Sequence, residues 1–142
     1  MGLNIDIVTV AVDDVTAATR FYEQALGWTP ALAVEGEVTF LRAGSGRMLA
    51  LFGRSDLVTD AGAETSDIKF DLGHICADPQ EVDEVTRRLQ AGGAEVLKAP
   101  QEASWGGYHA YLRIPDGTIW EIAHNPGWSV DDNGDAQIRP VN

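Results

Sequence analysis

The chain has 142 residues, 44% of them apolar and 23% charged, which fits one globular domain with a core of ordinary size. Its formal net charge of −12 excludes a nucleic-acid backbone as partner, since phosphate binding needs basic patches that this composition lacks. No apolar run approaches the roughly 20 residues of a membrane span, and the N-terminus lacks a basic stretch followed by an apolar one, so a cytoplasmic protein with no membrane partner is expected. The single cysteine, Cys76, rules out an internal disulfide and reads as a buried small hydrophobe in an apolar strand.

Residues 3–12 are rich in β-branched side chains and read as a strand. Asp13 offers an N-cap; Val15, Ala18, Tyr22, Ala25 and Leu26 follow at helical spacing, and Gly27 stops the run. Strands are predicted over about 29–34, 37–43 and 47–53, the last two joined by Ala43-Gly44-Ser45-Gly46. Residues 53–67 are polar and glycine-containing, a flap or a simple connection. A strand over 68–77 then precedes Asp78-Pro79-Gln80-Glu81, which combines an N-cap, a proline at the first helical position and an acid at the third. Val82, Val85 and Leu89 form the buried stripe, Gly92-Gly93 end it, and strands follow at 94–98, 107–114 and 118–124 around the Pro115-Asp116-Gly117 turn. The tail beyond Asn125, with Asp131-Asp132-Asn133-Gly134-Asp135, reads as solvated and loosely ordered, with Trp128 as its one docking residue.

The element order β-α-β-β-β thus occurs twice. A 67-residue shift lays Ile7-Val8-Thr9 on His74-Ile75-Cys76 and Val15 on Val82; a 71-residue shift lays Phe40-Leu41-Arg42 on Tyr111-Leu112-Arg113 and Ala50 on Glu121. Two copies of this length indicate a duplicated module rather than a solenoid. The predicted fold is α+β: one domain over 1–126, with module one at about 3–53, a linker at 54–67 and module two at about 68–126, followed by an acidic tail at 127–142.

Phe21-Tyr22 in the first helix, Gly27-Trp28 after it, and the segment from Trp105-Gly106-Gly107-Tyr108 through Pro115-Asp116-Gly117-Thr118-Ile119-Trp120-Glu121 carry a resemblance. In these features the chain resembles the vicinal oxygen chelate superfamily of glyoxalases, bleomycin-resistance proteins and extradiol dioxygenases. The resemblance implies a curved mixed sheet forming a cup, a homodimer, and metal ligands on the first and last strand of each module. On that pattern His74 and Glu121 match in module two, whereas Ile7 and Ala50 hold the corresponding places in module one and cannot coordinate. Two protein ligands are fewer than a catalytic zinc site takes. His109 and His124 are further donors that the motif does not place.

The expected arrangement is His74 hydrogen-bonded to Glu121 inside the cup, with a divalent metal on these two residues as the alternative. Strand alternation gives a lining of Ile7, Thr9, Met48, Ala50, Phe52 and Leu72, with Trp105 and Tyr108 near the rim. Apolar walls with few polar groups suit a small-molecule pocket, and the aromatics and negative charge favour a cationic or aromatic ligand. The leading reading is a protein that binds a small organic molecule without a complete metal site and with no cofactor firmly implied. Its alternatives are a metal-dependent lyase or isomerase of the glyoxalase kind and a metal-independent acid–base enzyme using His74 and Glu121.

Overall fold

The computed structural model describes residues 2–44, 46–62 and 69–138, so Ser45 of the expected tight turn, residues 63–68 and the last four residues lie outside the description. Module one runs β1 (Ile7–Val12), α1 (Val15–Leu26), β2 (Pro30–Val34), β3 (Val38–Gly44) and β4 (Arg47–Gly53). After α2 (Arg54–Ala61), module two runs β5 (Phe70–Ile75), α3 (Pro79–Ala91), β6 (Glu95–Glu102), β7 (Tyr108–Arg113) and β8 (Ile119–His124). A hairpin of β9 (Trp128–Val130) and β10 (Ala136–Ile138) follows.

Both long helices start as acid-capped helices should. Asp14, one residue beyond the expected Asp13, accepts the Ala17 N–H at 3.0 Å, and Asp78 accepts that of Glu81 at 2.8 Å with Pro79 behind it. Gly27, at φ 71°, ends α1 in the left-handed conformation that other residues adopt at a cost.

Eight strands form one mixed sheet in the order β2-β3-β4-β1-β5-β8-β7-β6. Each module contributes four neighbours, and the antiparallel β1–β5 ladder, with Ile7 opposite Gly73 and Thr9 opposite Asp71, sews the modules together. The sheet is curved. On the outer face α3 covers Cys76, Ala110, Leu112 and Ile122 through Val82 and Val85. On the inner face α2 lays Leu57 and Ala61 against Ala11, Tyr111 and Ile119.

Two segments differ from expectation. The stretch after β4 is not a plain linker: it forms α2, which docks inside the cup. The tail, expected to be loose, folds into the β9–β10 hairpin, whose Trp128, Ala136 and Ile138 pack on Ile7, Met48, Ala50, Ile75 and Ala123. Trp128 meets Phe40 edge-on at 5.2 Å. The chain therefore fills the apolar half of its own cup, and burial of that surface is what holds so short a hairpin in place.

Candidate functional site

The polar half of the cup lies on β5, β7 and β8. Tyr111 pairs with Glu121 across the β7–β8 ladder, and Gly73 pairs with Glu121 across β5–β8, so these three share a face. Alternation adds His109 and Asp71 to it. Glu121 Oε2 lies 3.0 Å from His109 Nδ1, and His109 is buried between Trp105 and Tyr111 with edge-on ring contacts at 5.5 Å on each side. The Tyr111 hydroxyl donates to Asp60 Oδ2 of α2 at 2.6 Å, and Lys98 Nζ stands 3.6 Å from Asp60 Oδ1. Gly107 makes room for this wall, since a Cβ there would run into the Trp105 ring and come within 2.6 Å of the His124 carbonyl oxygen.

Asp71 sits beneath, almost fully buried, and neither of its carboxylate oxygens has a hydrogen-bond partner. Burial pushes its pKa well above the ordinary carboxylate value, and the charges of Glu121 and Asp60 add to the effect; the nearby Thr9 hydroxyl opposes it without satisfying either oxygen. Burial, then the charges of Glu121, Asp71 and Asp60, likewise raise the Tyr111 phenol. Three carboxylates thus crowd one poorly solvated region, a local environment that favours a positive charge.

Asp60, His109 and Glu121 each offer a ligand atom, and these atoms lie within 4.8 Å of one another. One imidazole and two carboxylates suit a divalent cation from magnesium to zinc. The orphaned carboxyl oxygens of Asp71 lie beside that set as buried acceptors without partners, so the residues fit such an ion. Side chains of Glu121 and Asp60 are 16% and 28% exposed, which leaves the donors reachable from solvent. Surface grooves of about 390 and 490 Å³ beside α1 contain no residue of this cluster.

The expected His74–Glu121 pair is not formed. His74 pairs with Ile122, not Glu121, in the β5–β8 ladder, and its ring lies on the outer face, 3.4 Å from Asp6 and 3.6 Å from Glu81 of α3. The cause is register. β3 and β4 repeat as β7 and β8 at the 71-residue shift, since Phe40 faces Ala50 as Tyr111 faces Glu121. In β1, however, Thr9 faces Ala50, while in β5 the residue facing Glu121 is Gly73. The true counterpart of Ile7 is therefore Asp71, three positions from His74, and an odd offset turns every side chain over.

Leu72 leaves the predicted lining for the same reason and pairs with Trp120, whereas Tyr108 pairs with His124 on the outward side of β7, where its hydroxyl donates to Asp83 of α3 at 2.7 Å. Ile7, Thr9, Met48, Ala50 and Phe52 do face inward, but Ile7, Met48 and Ala50 are covered by the tail hairpin and Phe52 packs against the α2 cluster. Trp105, 45% exposed, stands at the mouth beside His109. His109 had a legible signal, because the Pro115-Asp116-Gly117 turn fixes it on the Glu121 face. Asp60 had none.

Residues 4–122 match the sequence profile of the Glyoxalase/Bleomycin resistance protein/Dioxygenase superfamily. The chain belongs to this superfamily. A glyoxalase-related enzyme from Fulvimarina pelagi is 29% identical, with 96% of this chain and 99% of that one covered and a TM-score of 0.50. A Legionella pneumophila chain described as NAD-dependent benzaldehyde dehydrogenase (18% identity, 83% and 96% covered, TM-score 0.69) shares the fold. So does Streptomyces coelicolor methylmalonyl-CoA epimerase (20% identity, 88% and 99% covered, TM-score 0.60). No curated protein matches the chain significantly.

Proposed function

We propose that this superfamily member is an enzyme that binds a small oxygenated molecule at the polar end of its cup and moves a proton on it through Glu121, with a divalent cation held by Asp60, His109 and Glu121. The observation that carries the reading is the convergence of these three donors beside the unsatisfied, buried Asp71. A bound cation would supply Lewis-acid polarisation of a substrate oxygen. The chain's own residues do the rest. His109 holds one Glu121 oxygen and fixes the carboxylate's direction, while Tyr111 and Lys98 hold Asp60. Trp105 offers a flat wall at the mouth, and α2 with the tail hairpin excludes water from behind.

A second reading is a metal-free binding protein. It is favoured by the His109–Glu121 and Tyr111–Asp60 hydrogen bonds, which are complete as they stand. The cluster's negative charge would then select a cationic ligand. Mn²⁺ titration followed by electron paramagnetic resonance separates the two. The enzyme reading expects one ion per chain, with affinity reduced at least about 10-fold in E121Q and in D60N. It also expects deuterium exchange from D₂O into small 2-hydroxycarbonyl compounds, slowed about 100-fold or more in E121Q. Ligand binding with neither Mn²⁺ uptake nor exchange would leave only the second reading.

A further inference from the structure

We propose that His74, Cys76 and Glu81 form a second cation site, for a thiophilic divalent ion of the zinc class, on the outer face of the sheet. His74 and Cys76 are two residues apart, so the pleat turns both toward α3. Glu81 is the third residue of that helix, where the Asp78 cap and Pro79 fix the first turn directly above them. The three ligand atoms lie within 4.8 Å of one another. His74 Nε2 and Glu81 Oε1 are already 3.6 Å apart, within the spacing of about 3.3–3.8 Å that zinc bonds of about 2.0–2.3 Å impose on tetrahedral neighbours.

An ordinary buried cysteine sits among hydrocarbon and does nothing but pack. Cys76, though only 1% exposed, has an imidazole and a carboxylate at its sulfur, with Asp6 and Asp78 adding negative charge around them. Burial raises the thiol's pKa, and Glu81 raises it further by its charge and by a hydrogen bond. A cation in place of the thiol proton reverses that effect. Glu81 is 39% exposed on its side chain, which gives an ion its route in and leaves room for a water as fourth ligand.

Asp6 supplies the outer support. It is buried, its Oδ2 accepts the Ile75 N–H at 2.6 Å, and the same oxygen lies 3.4 Å from His74 Nδ1. Without an ion, the Asn4 N–H donates to Nδ1 at 3.2 Å, which leaves the ring proton on Nε2. An ion at Nε2 would shift that proton to Nδ1, where Asp6 accepts it and the Asn4 N–H gives up its bond to the ring, a carboxylate arrangement common behind metal-bound histidines. The thiol proton is released to solvent, one per ion, so affinity strengthens as pH rises. The site is separate from the cup cluster, which lies across the sheet and contains no sulfur.

Co²⁺ titration of the chelator-stripped full chain tests this. Cys76 is the chain's one cysteine, so a near-ultraviolet thiolate-to-cobalt absorption band can arise only there. The expected result is a band that saturates at one ion per chain and is displaced by Zn²⁺. It should be absent in C76S, weakened at least about 10-fold in affinity by E81Q, and unchanged in D60N. Circular dichroism checks that each variant is folded. No band up to millimolar Co²⁺, or a band whose affinity is indifferent to E81Q, would overturn the proposal.

Discussion

Asp71 carries an electrostatic cost in the folded chain, being buried with neither carboxyl oxygen hydrogen-bonded. Its folded pKa is raised, so the folded chain holds this proton more tightly than the unfolded one. No cost arises below the unfolded value near 3.9. The cost grows as pH climbs from there through the folded pKa and is complete above it. Asp71→Asn in the metal-stripped protein should therefore stabilise the fold by about 1–3 kcal/mol at pH 8, with the gain fading toward pH 4. Urea unfolding at the two pH values measures it. Destabilisation at pH 8 would mean that the carboxylate has a partner it cannot spare. The same residue shows the limit of reading chemistry from the repeat. Glu121 was legible because the 71-residue match is long and anchored by a turn. Asp71 was not, because the apolar match that set His74 against Ile7 holds equally well three residues out of step.

Among the elements, the tail hairpin departs most from its sequence. Five residues from Asp131 to Asp135 read as a solvated acidic run, yet Asp131 Oδ1 accepts the Asn133 and Asp135 N–H groups at 2.9 Å and makes the run a turn. Strands of three residues are too short to show a period, and they gain their stability from a surface supplied about 80 residues earlier by Met48 and Ala50. Trp128→Ala should cost about 3–5 kcal/mol, read from urea or thermal unfolding. It should also expose apolar surface to the dye ANS. An unchanged midpoint would mean that the hairpin rests on the cup without holding it. The long helices, by contrast, were legible from caps and period, while α2 was hidden by a stretch whose apolar residues are too few to mark a helix.

For the molecule as a whole, the duplication does not produce two independent halves. The β1–β5 ladder and a shared core, in which Ile7 and Met48 touch Ile75 and Ala123, join the modules within one chain. Calorimetry of the metal-stripped protein should show one transition with equal calorimetric and van't Hoff enthalpies. Two resolved transitions would show that the seam is weaker than the module cores. β5 lies at the middle of this assembly, with Asp71 and Gly73 facing the cup and His74 and Cys76 facing α3. Deleting one residue between Asp71 and His74 would put them on the same face, either swinging imidazole and thiol into the cup or turning the Asp71 carboxylate under the helix. Insertions and deletions in this strand therefore strike both faces together, and lineages can edit one face without the other only by point substitution.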